Sequence, residues 1–322
     1  MPKTVIPIFL SSDDNYAPYV ATTIASICDN TKSFCEFYIL DGGITEENKG
    51  KICELKKQFD NFSIEFIKID VEKEFRNIDY RNACTYVSIS TYNRFLVPNL
   101  KPHINKTIYL DVDIILKGDI AELYNQSLDN LILGAIPDPC KDKVYLDELK
   151  NKLGLNSNSK YFNAGVLLID CNKWRNSNIT DKLLDIESKY RDKLEMADQD
   201  VLNICFENHY KMLNEKFNEM FNEENDSSRF ILRHFSGVIK PWQADFYIHY
   251  KTKKPCRIPD VDLFWEYAKM TSFYDNIIET KRVFLESNLL YKRFNNIVNK
   301  EINKWYLKEY FMCGDMEREN LR

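Results

Sequence analysis

The chain has 322 residues, 44% of them hydrophobic, which is enough for one large α/β domain with an appendage or for two modest domains. The formal net charge of −5 provides no global attraction for nucleic acid, so we expect no nucleic-acid partner. The nine cysteines are scattered, odd in number and form no C-x-x-C pair. This usage argues against a disulfide framework or a zinc site and predicts a reducing, cytoplasmic location.

The first part of the chain predicts alternating strands and helices. Thr4–Leu10 and Glu36–Leu40 are apolar runs typical of buried strands, and Ser63–Ile69 predicts a third strand. Between them, Pro18 suits the first turn of one helix and Thr45 the cap of a second. This β-α-β-α-β order predicts a parallel sheet with helices on both faces, in which ligands bind beyond the carboxyl ends of the strands.

The second half of the chain has a more mixed pattern. The predicted elements are strands at Leu131–Ile136 and Gly165–Ile169, helices at Asp181–Tyr190 and Gln199–Phe206, and a polar loop at Asn151–Lys160. We expect that the loop and the segment Phe217–Ser228 fold over a bound ligand. We predict a catalytic domain over residues 1–265 and a helical C-terminal extension over residues 266–322.

The extension is aromatic and basic, above all between residues 273 and 310. This mixture suits docking on an anionic membrane surface, where lipid-linked acceptors are found, and predicts a peripheral contact with the inner face of the cell membrane. The alternative is a helical hairpin packed on the catalytic domain. No segment of the sequence approaches the roughly 18 apolar residues that a membrane span requires.

The strongest functional signal is the run Tyr109–Leu116, where Asp111 and Asp113 interrupt an apolar pattern. Strand alternation predicts that both carboxylates point to the same side. Because burying two unpaired carboxylates is costly, they must end a strand at a solvated site, meet basic partners or bind a cation. Mn²⁺ or Mg²⁺ suits two carboxylates and leaves coordination sites for phosphate oxygens.

Five further segments are candidates for a binding site, and each also has a structural interpretation. Ser11–Tyr16 follows the first strand and could contact a nucleoside or form a plain Asx turn. Arg94 could pair with a phosphate or sugar, or form a surface salt bridge. Tyr161–Gly165 could admit a ligand to the backbone or begin a strand. Asp198–Asp200 opens a helix, where acidic residues are favoured anyway. His234–Trp242 could complete a metal site, although a lone histidine is often structural.

Together, and in this order, these segments resemble glycosyltransferase family 8, which contains bacterial lipopolysaccharide galactosyl- and glucosyltransferases and glycogenin. The matching pieces are Asp13–Tyr16, Tyr92–Phe95, Tyr109–Asp113, Tyr161–Gly165, Asp198–Asp200, His234–Gly237 and Lys240–Trp242. The resemblance covers residues 4–245. It implies an α/β protein with the glycosyltransferase-A fold, in which two Rossmann-like halves share a mixed central sheet with helices on both faces, here followed by the helical tail.

The resemblance also implies a retaining hexosyltransferase that uses UDP-glucose or UDP-galactose with Mn²⁺ or Mg²⁺. The implied site residues are Asp111, Asp113 and His234 for the metal, Ser11, Asp13 and Asn15 for uridine and ribose, Arg94, Asn163, Ala164, Asp198 and Gln199 around the donor sugar, and Gly237 and Lys240 for the diphosphate. Val112 also lies in the substrate site. It departs from the all-acidic triplet of some members, so an acidic sugar contact is absent there and the donor stays open between glucose and galactose.

The implied chemistry breaks the bond between the anomeric carbon and the diphosphate through an oxocarbenium-like transition state. The metal and Lys240 would stabilise the leaving diphosphate. Retention requires either a covalent intermediate or attack on the face from which the diphosphate departs. Because the Gln199 amide is a poor nucleophile, we favour same-face attack with Asp198 orienting sugar hydroxyls, and Asp198 as nucleophile is the alternative.

Two other functions are compatible with the acidic pair. One is a different metal-dependent nucleotide-sugar enzyme, such as a hydrolase or a nucleotidyltransferase, and the other is a non-catalytic UDP-sugar-binding protein. A P-loop enzyme is not expected, since no G-x-x-x-x-G-K pattern occurs. The expected acceptor is a glycan or lipid-linked glycan such as a lipopolysaccharide or other surface-glycan core.

Overall fold

The structure is a computed structural model that describes residues 4–75, 89–139, 143–220, 230–237, 239–248 and 255–288. Within these ranges the strands are β1 Val5–Ser12, β2 Phe34–Asp41, β3 Phe62–Lys68, β4 Lys106–Leu110, β5 Ile114–Leu116, β6 Leu133–Pro137, β7 Phe162–Asp170, β8 Lys211–Met212, β9 Glu219–Met220, β10 Leu232–His234, β11 Phe246–Ile248 and β12 Pro255–Arg257. The helices are α1 Ala17–Asn30, α2 Glu46–Cys53, α3 Val71–Glu74, α4 Val97–Leu100, α5 Ala121–Tyr124, α6 Lys143–Leu153, α7 Cys171–Asn176, α8 Ile179–Tyr190, α9 Asp198–Cys205, α10 Val261–Ala268 and α11 Tyr274–Ser287.

The central sheet has seven strands in the order β3-β2-β1-β4-β7-β6-β8. Strands β1 to β4 pair in parallel, whereas β7 is antiparallel to both of its neighbours, β4 and β6. The predicted parallel order of the first three strands and the mixed character of the whole sheet are therefore confirmed. Because β7 runs the other way, Val166 pairs with Leu110 at the end of β4, and residues 162–165 lie beyond that end.

Both faces of the sheet are covered, as the apolar run of the first strand predicted. Ile8 and Leu10 of β1 pack into one core cluster with helix α1, and Phe9 packs into a second cluster with helices α8 and α9 on the other face. The two helix starts predicted at Pro18 and Thr45 are confirmed. Pro18 lies in the first turn of α1, and the Thr45 side chain accepts a hydrogen bond from the backbone N–H of Asn48 at the start of α2.

Two predicted boundaries were wrong. Helix α6 continues to Leu153, so the polar loop predicted at Asn151–Lys160 begins only after that residue, because Leu149 and Leu153 are buried and hold the last turn in place. Strand β7 begins at Phe162 rather than Gly165, so the polar and small residues before Gly165 belong to the strand. They form sheet pairs there with the end of β6.

A second, three-stranded sheet in the order β5-β10-β9 adjoins the end of β4. Strand β10 pairs with β5 in an antiparallel register that sets His234 opposite Ile114. This register brings the end of β10 to the acidic turn between β4 and β5. The segment Phe217–Ser228, predicted to fold over a ligand, contains β9, but its residues 221–228 lie outside the described residues. Strands β11 and β12 form a separate antiparallel pair.

The described part of the C-terminal extension packs on the catalytic domain. Phe273 and Ile277 are 1% and 0% exposed and belong to the same core cluster as β1 and α1. Helix α10 runs across the predicted domain boundary between residues 265 and 266, and that division stays a prediction. Within the described ranges, every helix is too short or too polar to span a bilayer. The segment 289–310, which carries most of the predicted membrane contact, lies outside the described residues.

Candidate active site

The candidate site lies where the parallel strands β1 and β4 end side by side. Strand β4 ends at Leu110 and β5 begins at Ile114, so Asp111 and Asp113 lie in a turn between two strands and not within one strand, as alternation had assumed. The turn is held against β7 because the backbone N–H of Asp111 donates to the Gly165 carbonyl at 2.8 Å. The two carboxylates nevertheless lie on the same side, at the carboxyl edge of the sheet, as the prediction required.

His234 joins the acidic pair through the β5–β10 register. The backbone N–H of Phe235 donates to the Asp113 carbonyl at 2.9 Å, which aligns the two chain segments. His234 Nε2 lies 3.1 Å from Asp113 Oδ1 and 4.0 Å from Asp111 Oδ2. One ligand atom from each of the three residues lies within 4.8 Å of the other two. This group therefore has the composition and the spacing of a divalent-cation site.

Gly165 makes room for this group. A Cβ atom at that position would lie 2.4 Å from His234 Cε1 and 2.7 Å from Asp111 Oδ2, closer than real Cβ atoms approach their neighbours. Because Gly165 has no side chain, the side chains of His234 and Asp111 can approach each other here, as the small residues in this segment suggested. Two carboxylates and one imidazole are suitable ligands for a divalent cation and leave coordination positions for other oxygen ligands.

Arg94 lies beneath the acidic turn and is only 5% exposed. Its Nη2 lies 3.0 Å from Asp111 Oδ1, and its Nη1 donates to the Ala164 carbonyl at 2.6 Å. Its Nε also lies 2.9 Å from Asp198 Oδ2. Burial would lower the pKa of Arg94, but Asp111 and Asp198 outweigh it and raise the pKa. The interpretation as a surface salt bridge was wrong, because this guanidinium is a buried cation that joins two acidic residues.

Lys240 neutralises the other aspartate. Its Nζ lies 2.6 Å from Asp113 Oδ2 and donates to the Phe235 carbonyl at 2.7 Å. Burial alone would raise the pKa of Asp113, but Lys240 and His234 outweigh burial and lower it well below the usual range of an aspartate. Asp113 is therefore an anion at neutral pH, already next to a cationic side chain.

A row of amides lines the floor of the site beside the acidic turn. Gln199 Oε1 accepts hydrogen bonds from the Ala164 backbone N–H at 2.9 Å and from Asn163 Nδ2 at 3.2 Å. Asp138 Oδ2 lies 3.4 Å from the side-chain nitrogens of both Asn163 and Gln199. The structure therefore brings the predicted sugar-site residues Asn163, Ala164 and Gln199 together at the start of β7, and Arg94 links Asp198 to Ala164.

The residues predicted for the nucleoside lie at the end of β1. Ser11 Oγ donates to the Ser90 carbonyl at 2.8 Å. Asp13 caps the short 3₁₀ turn that follows β1, since its carboxylate accepts from the Tyr16 backbone N–H at 3.2 Å, while Asn15 is exposed. This contact is a helix cap and not the Asx turn of the structural alternative. The geometry brings all three residues to the carboxyl end of β1.

The remaining two predicted residues have different surroundings. Val112, between the two aspartates, is 8% exposed and packs into the hydrophobic core, so its side chain stabilises the turn from below. Gly237 is exposed at the other side of the site, after the end of β10.

Comparison with known proteins decides the family. Residues 7–245 match the profile of glycosyl transferase family 8. The chain belongs to this family. It is 37% identical over 211 residues to a Haemophilus influenzae protein provisionally named a glycosyltransferase, covering 66% of this chain and 62% of that relative, which is less than two thirds of its length. It is 27% identical over 248 residues to an Escherichia coli lipopolysaccharide 1,2-glucosyltransferase, covering 71% of each.

Solved structures give the same result for the fold. A crystal structure of the galactosyltransferase LgtC in complex with donor and acceptor sugar analogs matches this family 8 chain with a TM-score of 0.68 and 27% sequence identity. The match covers 83% of this chain and 96% of that one. The predicted glycosyltransferase-A fold is therefore confirmed.

Three residues of this family 8 protein contribute to the site and were not predicted. Asp138, in Pro137-Asp138-Pro139 after strand β6, has the same signal as Asp111, a carboxylate directly after a buried strand, and that rule could have found it. Thr23 Oγ1 lies 2.9 Å from the carbonyls of both Val112 and Ile114 and supports the acidic turn from helix α1. Asn218 contacts His234 and has no local sequence signal, since only the packing of distant segments brings the two together.

Proposed function

We propose that this protein is a metal-dependent, retaining hexosyltransferase that moves glucose or galactose from a UDP-sugar to a glycan acceptor. The observation that supports the proposal most strongly is the convergence of Asp111, Asp113 and His234 at the sheet edge, next to the buried amide and carboxylate floor. The acidic group is suited to a diphosphate-bound cation, and the floor to the hydroxyls of a hexose. Family membership supports the transferase reaction in preference to hydrolysis or binding alone.

In this proposal the uridine and ribose bind beyond the end of β1. Ser11, Asp13 and Asn15 provide hydroxyl, carboxylate and amide groups at that edge, and Asn15 is exposed and free to reorient toward a ligand. Parallel strands leave such a crevice at their carboxyl ends, which is where nucleotides bind in this class of sheet.

The diphosphate binds between the acidic turn and the loop after β10. Asp111, Asp113 and His234 hold the metal, which when bound supplies a Lewis acid for the developing negative charge of the leaving group. Lys240 contributes a point charge. Its Nζ is bound to Asp113 in the described structure, at 2.6 Å, and exchanges that partner for a diphosphate oxygen. Gly237 leaves the backbone of the loop open to the ligand.

The floor of the site favours same-face attack. Gln199 Oε1 already accepts two hydrogen bonds, from Ala164 N–H and Asn163 Nδ2, so its oxygen is oriented by the protein and remains a poor nucleophile. The Asp198 carboxylate is positioned by its ion pair with Arg94, and it orients sugar hydroxyls. Asp198 as a nucleophile is the alternative. An Asp198→Ala enzyme with near-normal turnover would remove that residue from either role.

The acceptor that we propose is a lipopolysaccharide or another surface-glycan core. The similarity to an enzyme named lipopolysaccharide 1,2-glucosyltransferase supports this class of acceptor. Val112 provides no acidic contact to the donor sugar, since its side chain packs into the core, and the donor stays open between glucose and galactose.

A peripheral membrane contact is proposed only for the segment 289–310. In the described part of the extension, Lys281 pairs with Asp245 at 2.6 Å, and Arg282 forms ion pairs with Glu279 and Glu286. These basic side chains already have acidic partners within the chain. Co-sedimentation with anionic vesicles, before and after deletion of residues 289–322, tests the contact. Unchanged vesicle binding by the truncated protein would contradict it.

The experiment that tests the function is release of UDP from a panel of UDP-sugars without acceptor, first with Mn²⁺ and then with EDTA. We expect slow, Mn²⁺-dependent release from one sugar. Asp113→Asn should abolish it, whereas Asp129→Asn, which breaks a similar Asp–Lys pair with Lys211 on the surface, should not. No release from any sugar, together with no Mn²⁺-dependent binding of UDP, would overturn the proposal.

A further inference from the structure

His234 contacts a buried amide on the side of the ring that faces away from the carboxylates. Its Nδ1 lies 2.9 Å from Asn218 Oδ1, and the two side chains are 3% and 1% exposed. A contact of this kind fixes the orientation of the imidazole and decides which ring nitrogen carries the proton. Which nitrogen is protonated therefore depends on the orientation of the Asn218 amide.

The backbone determines that orientation through a second amide. The N–H of Gly165 donates to Asn163 Oδ1 at 3.0 Å, and a backbone N–H can only donate. The atom of Asn163 that faces Gly165 must therefore be its oxygen. Asn218 Nδ2 lies 3.0 Å from the same oxygen, so the atom of Asn218 in this contact must be its nitrogen. The oxygen of Asn218 is then the atom that faces His234.

It follows that Nδ1 of His234 is the donor in the contact with Asn218. In a neutral ring, Nε2 then has no proton and directs a lone pair at Asp111 and Asp113. A lone pair 3.1 Å from a carboxylate oxygen is unfavourable unless a proton on Nε2 or a metal cation lies between them. The amides thus prepare Nε2 as a ligand before a cation arrives.

We propose that Asn218 is a positioning residue that holds His234 in the Nδ1–H form for metal binding and couples the metal group to the sugar-binding floor. The coupling follows from the same contacts, because Asn163 also donates to Gln199 Oε1 at 3.2 Å. A shift of Asn218 therefore moves both a metal ligand and a sugar-site amide. This inference rests on the proposed function, since it assigns the cation to His234.

Two substitutions at Asn218 distinguish its contact with His234 from its contact with Asn163. Asn218→Ala removes both, and we expect it to weaken Mn²⁺ binding in the presence of UDP by about 10- to 100-fold, as for other residues that orient a metal-bound histidine. Asn218→Asp keeps an acceptor for Nδ1–H but loses the donor to Asn163. We expect it to keep Mn²⁺ affinity within about tenfold of the wild type while raising KM for the UDP-sugar. Free Mn²⁺ is measured by its EPR signal.

Asn61→Ala is the matched control. Asn61 is half-buried and donates to the Cys28 and Thr31 carbonyls at the C-terminal end of helix α1, so its loss removes an amide that has no contact with the candidate site residues. We expect unchanged Mn²⁺ affinity. Wild-type Mn²⁺ affinity in a folded Asn218→Ala protein would overturn the proposal, and equal losses in the Ala and Asp variants would also overturn it.

A second measurement uses no variant of Asn218 and no metal. ¹⁵N spectra of histidine-labelled, metal-free protein show directly whether Nδ1 carries a proton, and His234→Gln identifies the signal. We expect a proton on Nδ1, whether or not Nε2 also carries one between the carboxylates, and an unprotonated Nδ1 would overturn the proposal. If wild-type protein binds no Mn²⁺ at all, the proposed metal dependence is wrong. The spectra would still show whether Asn218 accepts a proton from His234 Nδ1.

Discussion

Arg94 Nε lies 2.9 Å from Asp198 Oδ2, although both side chains are almost completely buried. The hydrogen bond of that Nε goes to the Thr91 carbonyl, also at 2.9 Å, and Asp198 Oδ2 has no hydrogen-bond partner among the described residues. The contact between the two side chains is therefore ionic, and the carboxylate is incompletely solvated. Burial raises the pKa of Asp198 to about 6, while Arg94 opposes the increase.

This pKa predicts how stability depends on pH. The folded protein binds the Asp198 proton more tightly than the unfolded chain does, so this residue stabilises the fold below about pH 4, and the contribution is lost as pH rises toward 6. Asp198→Asn should therefore gain stability relative to the wild type over that range, by up to about 3 kcal/mol. Urea unfolding between pH 4.5 and 7.5 measures the difference. The surface variant Asp60→Asn should show no such trend, and a pH-independent difference for Asp198→Asn would contradict the assignment.

Gly165→Ala should disrupt the metal group. The new Cβ would meet His234 Cε1 and Asp111 Oδ2 within 2.7 Å, so both side chains must move. We expect Mn²⁺ affinity to fall at least about tenfold and stability by about 1–3 kcal/mol. Gly50→Ala is the control, since a Cβ there meets nothing within 4 Å in helix α2 and should stabilise the protein slightly. Wild-type Mn²⁺ binding by Gly165→Ala would show that the site tolerates the methyl group.

Lys240→Ala should separate catalysis from metal binding. Under the proposed function, loss of this cation leaves the departing diphosphate less stabilised, and we expect kcat to fall by about 10²- to 10³-fold. Mn²⁺ affinity should not weaken, because Asp113 loses a competing partner at 2.6 Å. Steady-state kinetics and Mn²⁺ titration measure the two effects. Lys281→Ala breaks an ion pair of the same length with Asp245 and should leave kcat unchanged. A loss of Mn²⁺ affinity in Lys240→Ala would assign the lysine to the metal group instead.

Thr23→Val should loosen the acidic turn from helix α1. Its hydroxyl lies between the Val112 and Ile114 carbonyls, and valine leaves a buried acceptor without that donor. We expect a loss of about 1–3 kcal/mol in the free energy of unfolding. Thr22→Val is the matched control, because that equally buried hydroxyl donates to the Pro18 carbonyl of its own helix. Equal losses in the two variants, measured by urea unfolding, would contradict a special role for Thr23.

The sequence by itself determined the main elements and the edge of the sheet at which the candidate site lies. Unbroken apolar runs such as Thr4–Leu10 predict strands covered on both faces, and Thr45 predicts a helix start, because these features depend on neighbouring residues alone. Polar residues directly after a strand, such as Asp111, predict a binding site at the carboxyl edge of the sheet. The boundaries near Leu153 and Asn163 depended on packing instead, since α6 ends later and β7 starts earlier than the local pattern indicated.

Only the tertiary structure decided which of these residues meet. His234 reaches Asp113 through the antiparallel register of β10 with β5, and Asn163 reaches the acidic turn because β7 reverses direction beside β4. Asn218 has no signal in its own segment. Its role follows only from its contacts with Asn163 and His234, which lie in distant segments. The physical reason is that periodicity reports which face of an element is buried, whereas strand order and register depend on contacts between distant segments.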